Sequence, residues 1–184
     1  LRSQDYSRQE SLGLQLWTHI FLVLMTFGLW HDSYLSEITC LLLMVATGFI
    51  MLDPQNISYL VVHCSDTPDD ALLGGRDIHA LHLGFGWDGV GYHRIISRDG
   101  VIEHGRPDYW VGAHVFGYNE VSLGVCLIGR HRFTDAQMQA LEKVLRDWKI
   151  YYPDAQIVGH CDFDYTKKTC PNFDVTDWCR ERGL

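Results

Sequence analysis

The chain has 184 residues, 47% of them apolar, a formal net charge of −8 and six cysteines. That length holds one ordinary domain plus an extension, and the apolar fraction is enough for a packed core. The acidic balance, without any basic block, argues against a nucleic-acid partner. Cysteines at 40, 64, 126, 161, 170 and 179 form no CxxC pair, which argues against a disulfide framework.

Residues 1 to 10 are polar, with charges that cancel. Ser11 to Trp30 contains no Asp, Glu, Lys or Arg, and these 20 positions, at about 1.5 Å each, match a hydrocarbon core of roughly 30 Å. Trp17 and Trp30 suit the two interfaces. A short polar break precedes a second uncharged run, Ile38 to Leu52, of 15 residues. That second run is rather short for a full span, so the preferred reading of residues 11–52 is a membrane-associated hydrophobic helical hairpin, or one span plus a shorter buried helix. The alternative is a helix pair packed on the remaining domain or on a partner protein. A signal peptide fits less well, because the apolar load is doubled and no small-residue cleavage site follows. Met51 as the natural start is also open.

Asp53-Pro54-Gln55-Asn56 is turn chemistry and marks a boundary between an extension, 1–52, and a domain, 53–184. Ile57 to His63 reads as a buried strand, with His63 and Cys64 on opposite faces. Asp66 to Gly75 reads as a loop, and Arg76 to Leu83 as a short helix that puts His79 and His82 three apart. Those two histidines are a possible metal pair, or simply a packed or solvated helix face. Four glycines between Gly84 and Gly91 lead to a strand, Tyr92 to Ser97, a turn at Arg98-Asp99-Gly100 and a returning strand to His104. Alternation sends Tyr92 and His93 to opposite faces. Gly105 to Asn119 is a long irregular stretch that contains His114, and Val121 to Ile128 is a further apolar strand. Phe133 to Tyr152 carries the clearest helix signal: Thr134 and Gln137 spaced as a capping box, and Met138, Leu141, Leu145, Trp148 and Tyr152 on one stripe. Ala155 to Gly159 is the last strand. Val175 to Glu181 is a terminal helix capped by Asp174.

The stretch Gly159 to Asp174 carries His160 and Cys170, with Lys168 two residues before the cysteine. Imidazole nitrogen and thiolate sulfur are good zinc ligands, and His63, at the end of its strand, is the best third. Two histidines and one cysteine leave a tetrahedral zinc one open position, which is the pattern of catalytic sites.

Six segments occur in order: Val61-Val-His-Cys-Ser-Asp-Thr-Pro, Gly89-Val-Gly-Tyr-His-Arg-Ile-Ile, Val111-Gly-Ala-His, Gly117-Tyr-Asn, Ser122-Leu-Gly-Val-Cys-Leu-Ile-Gly and Lys168-Thr-Cys-Pro-Asn-Phe-Asp. Together they resemble the zinc-dependent N-acetylmuramoyl-L-alanine amidases of the peptidoglycan-recognition-protein fold, over roughly residues 56 to 180. Residues 1–52 have no counterpart in that resemblance. It implies an α/β fold, a central mixed β-sheet flanked by helices, and hydrolysis of the amide between N-acetylmuramic acid and L-alanine in peptidoglycan by a phage or prophage lytic enzyme. It implies Tyr92 and Lys168 as the catalytic pair, and His114 as a peptidoglycan contact. The domain is then expected to act on the cell wall, in the periplasm or envelope, from a membrane-associated chain. Two rivals share the fold: a peptidoglycan-binding module without catalysis, and a membrane-anchored interaction protein.

Overall fold

The computed structural model describes residues 51–164 and 166–184. The expected hairpin falls outside the described residues up to residue 50, but its last two residues belong to the domain: Met51 bridges Trp110, and Leu52 is buried in the core. Among the described residues no helix is long and apolar enough to cross a membrane.

Five strands form one mixed sheet: β1 (Tyr59–Cys64), β2 (Arg94–Ile96), β3 (Ile102–His104), β4 (Ser122–Leu127) and β5 (Gln156–Gly159), in the order β3-β2-β4-β1-β5. β4 is central and runs parallel to β1 and β2. β1 also pairs parallel with β5, and only β2–β3 is antiparallel. Parallel neighbours need crossover segments. The helices α1 (Gly75–Gly84) and α2 (Asp135–Tyr151) lie in two of these crossovers, and α3 (Val175–Arg182) closes the chain.

Alternation divides the strands between two faces. Leu60, Val62, Ile96, Leu123, Val125 and Leu127 join one core with Leu141, Leu145 and Trp148 of α2 and Val175 and Trp178 of α3. Burying each such large side chain contributes about 1.5–3 kcal/mol. On the other face Val61 packs with Val115 and Phe163, and Ile95 with Ile78 of α1. His63, two residues after Val61, therefore emerges on this second face.

The capping box at α2 forms as its spacing predicts. Thr134 Oγ1 accepts from the Gln137 amide at 3.1 Å, and Gln137 Oε1 accepts from the Thr134 amide at 3.1 Å. Gln137 does more than cap. It is fully buried, and its Nε2 donates to the carbonyls of Ile128 at 2.8 Å and Ile96 at 3.2 Å, tying the ends of β4 and β2 together.

The strand expected at Tyr92 begins only at Arg94. Its ladder turns irregular where Gly105 passes so close that an added Cβ would lie 2.2 Å from the Tyr92 carbonyl oxygen. Tyr92 and His93 consequently do not point to opposite faces. Tyr92 reaches the His63 ring and His93 lies behind His114, with ring centroids at 5.1 and 5.6 Å.

Candidate metal centre

β1 delivers His63 at its end, and β5 delivers His160 in the 3-10 turn that follows it, His160–Asp162. That turn is held by the Asp162 carboxylate, which accepts from the Gly159 amide at 2.7 Å. Cys170 returns on the loop before α3. Its carbonyl accepts from the Cys161 amide at 2.8 Å, and its sulfur accepts from the Cys64 amide at 3.0 Å. Cys64 thus meets the site through its backbone, and its thiol also neighbours Cys170.

The side-chain donors of His63, His160 and Cys170 all lie within 4.8 Å of one another, and His63 Nδ1 is 4.0 Å from Cys170 Sγ. No other group of three His, Cys, Asp or Glu side chains is close enough to share a metal ion among the described residues. His79 and His82 do not form a metal pair. Their Nδ1 atoms accept from the amides of Val90 and Gly91 at 3.3 and 3.1 Å, fastening the glycine-rich segment to α1.

Protonation suits a cation at this point. Burial, with smaller contributions from His114, His160 and Lys168, holds the His63 pKa well below its ordinary value. Burial and the Lys168 charge lower His160 to about 4. Both rings are therefore neutral near pH 7, as a metal ligand must be. The neighbouring Cys64 thiol and burial push the Cys170 thiol up. A divalent cation reverses that order of preference, because a coordinating thiol is deprotonated. Two neutral imidazoles and one thiol, converging where each was delivered by a different element, fit zinc chemistry.

Tyr92 borders this cluster and keeps part of its surface in solvent. Burial, followed by the thiols of Cys126 and Cys170, raises its hydroxyl pKa well above the ordinary value. Lys168 is exposed, and its charge is felt at both His63 and His160. His114 lies beneath the centre, its Nδ1 3.0 Å from His63 Nε2. Sequence reading had not singled out the Cys64 amide, Cys126 beside Tyr92, or Asn119, whose Oδ1 accepts from the amides of His114 and Val115 at 2.8 and 2.9 Å. The Gly117-Tyr-Asn segment was the available signal for Asn119.

The family described as N-acetylmuramoyl-L-alanine amidase matches residues 53–173. The endolysin of Klebsiella phage KP32 is 43% identical over 138 residues, covering 71% of this chain and 90% of that protein. The endolysin of Escherichia phage T7 is 40% identical over 138 residues, with the same two coverages of 71% and 90%. Among solved structures, the N-acetylmuramoyl-L-alanine amidase LysC from Clostridium intestinale URNW superposes with a TM-score of 0.63 at 27% identity, covering 72% of this chain and 90% of that one.

Proposed function

The chain belongs to the N-acetylmuramoyl-L-alanine amidase family, and from that premise we propose that it is a phage peptidoglycan amidase working with one zinc ion held by His63, His160 and Cys170. The observation that carries the zinc reading is the convergence of those three donors within 4.8 Å.

Hydrolysis of the amide between N-acetylmuramic acid and L-alanine requires a reactive water and a place for the charge that develops on the carbonyl oxygen. Bound at these three side chains, zinc supplies Lewis acidity, lowering the pKa of water towards about 7 and polarising the carbonyl. The protein's own groups do the rest. The Tyr92 hydroxyl is protonated near neutral pH, as any tyrosine is, and burial raises its pKa further. It donates a hydrogen bond to the carbonyl oxygen as charge builds there. The Lys168 ammonium adds a positive charge beside the same oxygen. Both act more strongly on the transition state than on the ground state, which is the condition for accelerating the chemical step.

We further propose that residues 11–50 hold the chain at a membrane while residues 51–184 act on the cell wall, in the periplasm or envelope. The uncharged run from Ser11 to Trp30 supports this reading.

Purified protein incubated with cell-wall sacculi, followed by muropeptide analysis, tests the enzyme. Free L-alanine amino termini should appear, and metal analysis should give about one zinc per chain. Zinc-loaded protein that binds sacculi without releasing peptides would leave a binding module instead. Flotation with lipid vesicles tests the membrane reading: the full chain should float and a chain beginning at Met51 should not.

A further inference from the structure

His114 is a half-buried group that the chemistry above leaves without a task. Two glycines make room for its ring. A Cβ on Gly112 would lie 2.4 Å from its Cδ2 and 2.7 Å from its Nε2, and a Cβ on Gly124 would lie 2.7 Å from its Nδ1. Both positions must therefore lack a side chain for the ring to fit. Asn119 pins the backbone, accepting from the His114 amide at 2.8 Å.

Resting on the zinc reading, we propose that His114 is a positioning residue: it accepts a hydrogen bond from His63 Nε2–H and so fixes the imidazole that presents Nδ1 to the metal. The argument is one of proton placement. His63 turns Nδ1 toward Cys170 Sγ, at 4.0 Å, and Nε2 toward His114 Nδ1, at 3.0 Å. A neutral imidazole carries one proton. If Nδ1 offers its lone pair to a metal, the proton sits on Nε2 and needs an acceptor in a buried place. His114 Nδ1 is that acceptor. The His114 proton then sits on its own Nε2, a buried atom with no hydrogen bond of good geometry among the described residues, although the Ser122 backbone also interacts with this ring. Leaving that donor unmet is unfavourable. The ring accepts that cost at the one position where its other nitrogen can orient a ligand. A direct peptidoglycan contact is the rival role, but one ring nitrogen faces His63 and the other is buried. Partners that fix a ligand histidine's tautomer raise its basicity and hold its plane.

The test compares wild-type protein with His114→Phe, which fills the space without an acceptor, and His114→Asn, whose Oδ1 accepts near the place of Nδ1. Zinc affinity is read by chelator competition and sacculus binding by pull-down of zinc-loaded protein. His114→Phe should bind zinc about 10- to 100-fold more weakly, His114→Asn should recover most of that loss, and sacculus binding should be unchanged in both. Nitrogen-15 imidazole spectra of zinc-loaded wild type should show His63 protonated at Nε2 and His114 unprotonated at Nδ1, a reading that needs no variant to fold. Wild-type zinc affinity in His114→Phe, or a His63 without a proton on Nε2, overturns the proposal. Unchanged zinc affinity with lost sacculus binding replaces it by the substrate contact. Wild-type protein that binds no zinc removes the zinc reading itself, a failure distinct from the other two.

Discussion

The two faces of the sheet are built from the same strands by different rules. The face under α2 and α3 is a continuous apolar core, with Leu60, Leu123, Leu127, Leu141 and Leu145 fully buried. The opposite face interrupts its apolar patches with histidines, thiols and close-packed glycines, and it is covered by α1 and loops. Within β1 the switch takes a single residue: Val62 belongs to the first core, His63 to the metal centre. The lesson is that a strand's two-residue period lets one segment supply stability on one side and chemistry on the other. Changes on the two faces should therefore fail in different ways.

The largest expected effect is on the site face. Cys170→Ala removes the thiolate, so zinc content should fall and amide hydrolysis should drop to background. Thermal unfolding of the chelated protein should fall modestly, because Cys170 lies outside the apolar core but its sulfur accepts from the buried Cys64 amide. A Cys170→Ala protein with full turnover would break the division between the faces at its centre.

Leu141→Ala is the converse. The residue is fully buried under the sheet, and its truncation should cost about 2–5 kcal/mol in a denaturant titration. The folded fraction should still bind one zinc and turn over near the wild-type rate. If zinc is lost while the protein remains folded, the two faces are coupled more tightly than their separate cores suggest.

Tyr92→Phe and Lys168→Ala sharpen the comparison within the site. Neither side chain is among the three converging donors, so zinc should remain. Removing one oxyanion-type donor should lower kcat by on the order of 100- to 1000-fold with little change in sacculus binding. Near-wild-type turnover in both would leave the zinc centre standing and remove its assigned helpers.

A smaller, pH-dependent effect belongs to the site face alone. Burial lowers the His93 pKa from 6.5 to about 4. Its Nδ1 accepts from the Gly124 amide at 3.0 Å, and its Nε2 meets the Trp110 carbonyl at 2.9 Å. Between those two pKa values the unfolded chain takes up a proton that the folded chain refuses. Stability is therefore full above about pH 6.5 and declines as pH falls towards 4, by at most on the order of 3 kcal/mol for this ring. Urea midpoints of chelated protein at pH 7.5 and 5 measure it. His93→Asn, with no titrating ring, should show a flatter slope, and an equal slope would assign the effect elsewhere.

Local physics made much of this molecule legible. Thr134 and Gln137 three apart start α2 through hydrogen bonds made within its own first turn, and the apolar stripe that follows, every three or four residues, marks the face it lays on the sheet. The apolar run before His63 specifies a buried strand, and a two-residue period alone is enough to separate Val62 from His63. Asp174, three residues before the Asp177 amide it accepts from at 2.8 Å, announces α3 in the same way. The order of the six segments pointed to the mixed sheet flanked by helices that the structure shows. Strand ends were less legible, as at Tyr92, because the approach of Gly105 to a distant carbonyl decides where the ladder becomes regular. Tertiary structure alone decided which polar groups meet. His63 and His114 are 51 residues apart, and the Cys64 amide and Cys170 sulfur 106 apart. Periodicity records which face a residue occupies and carries no information about what arrives opposite it. That is set by crossover connections and by glycines whose missing side chains admit a ring, and those become visible only when the chain has closed on itself.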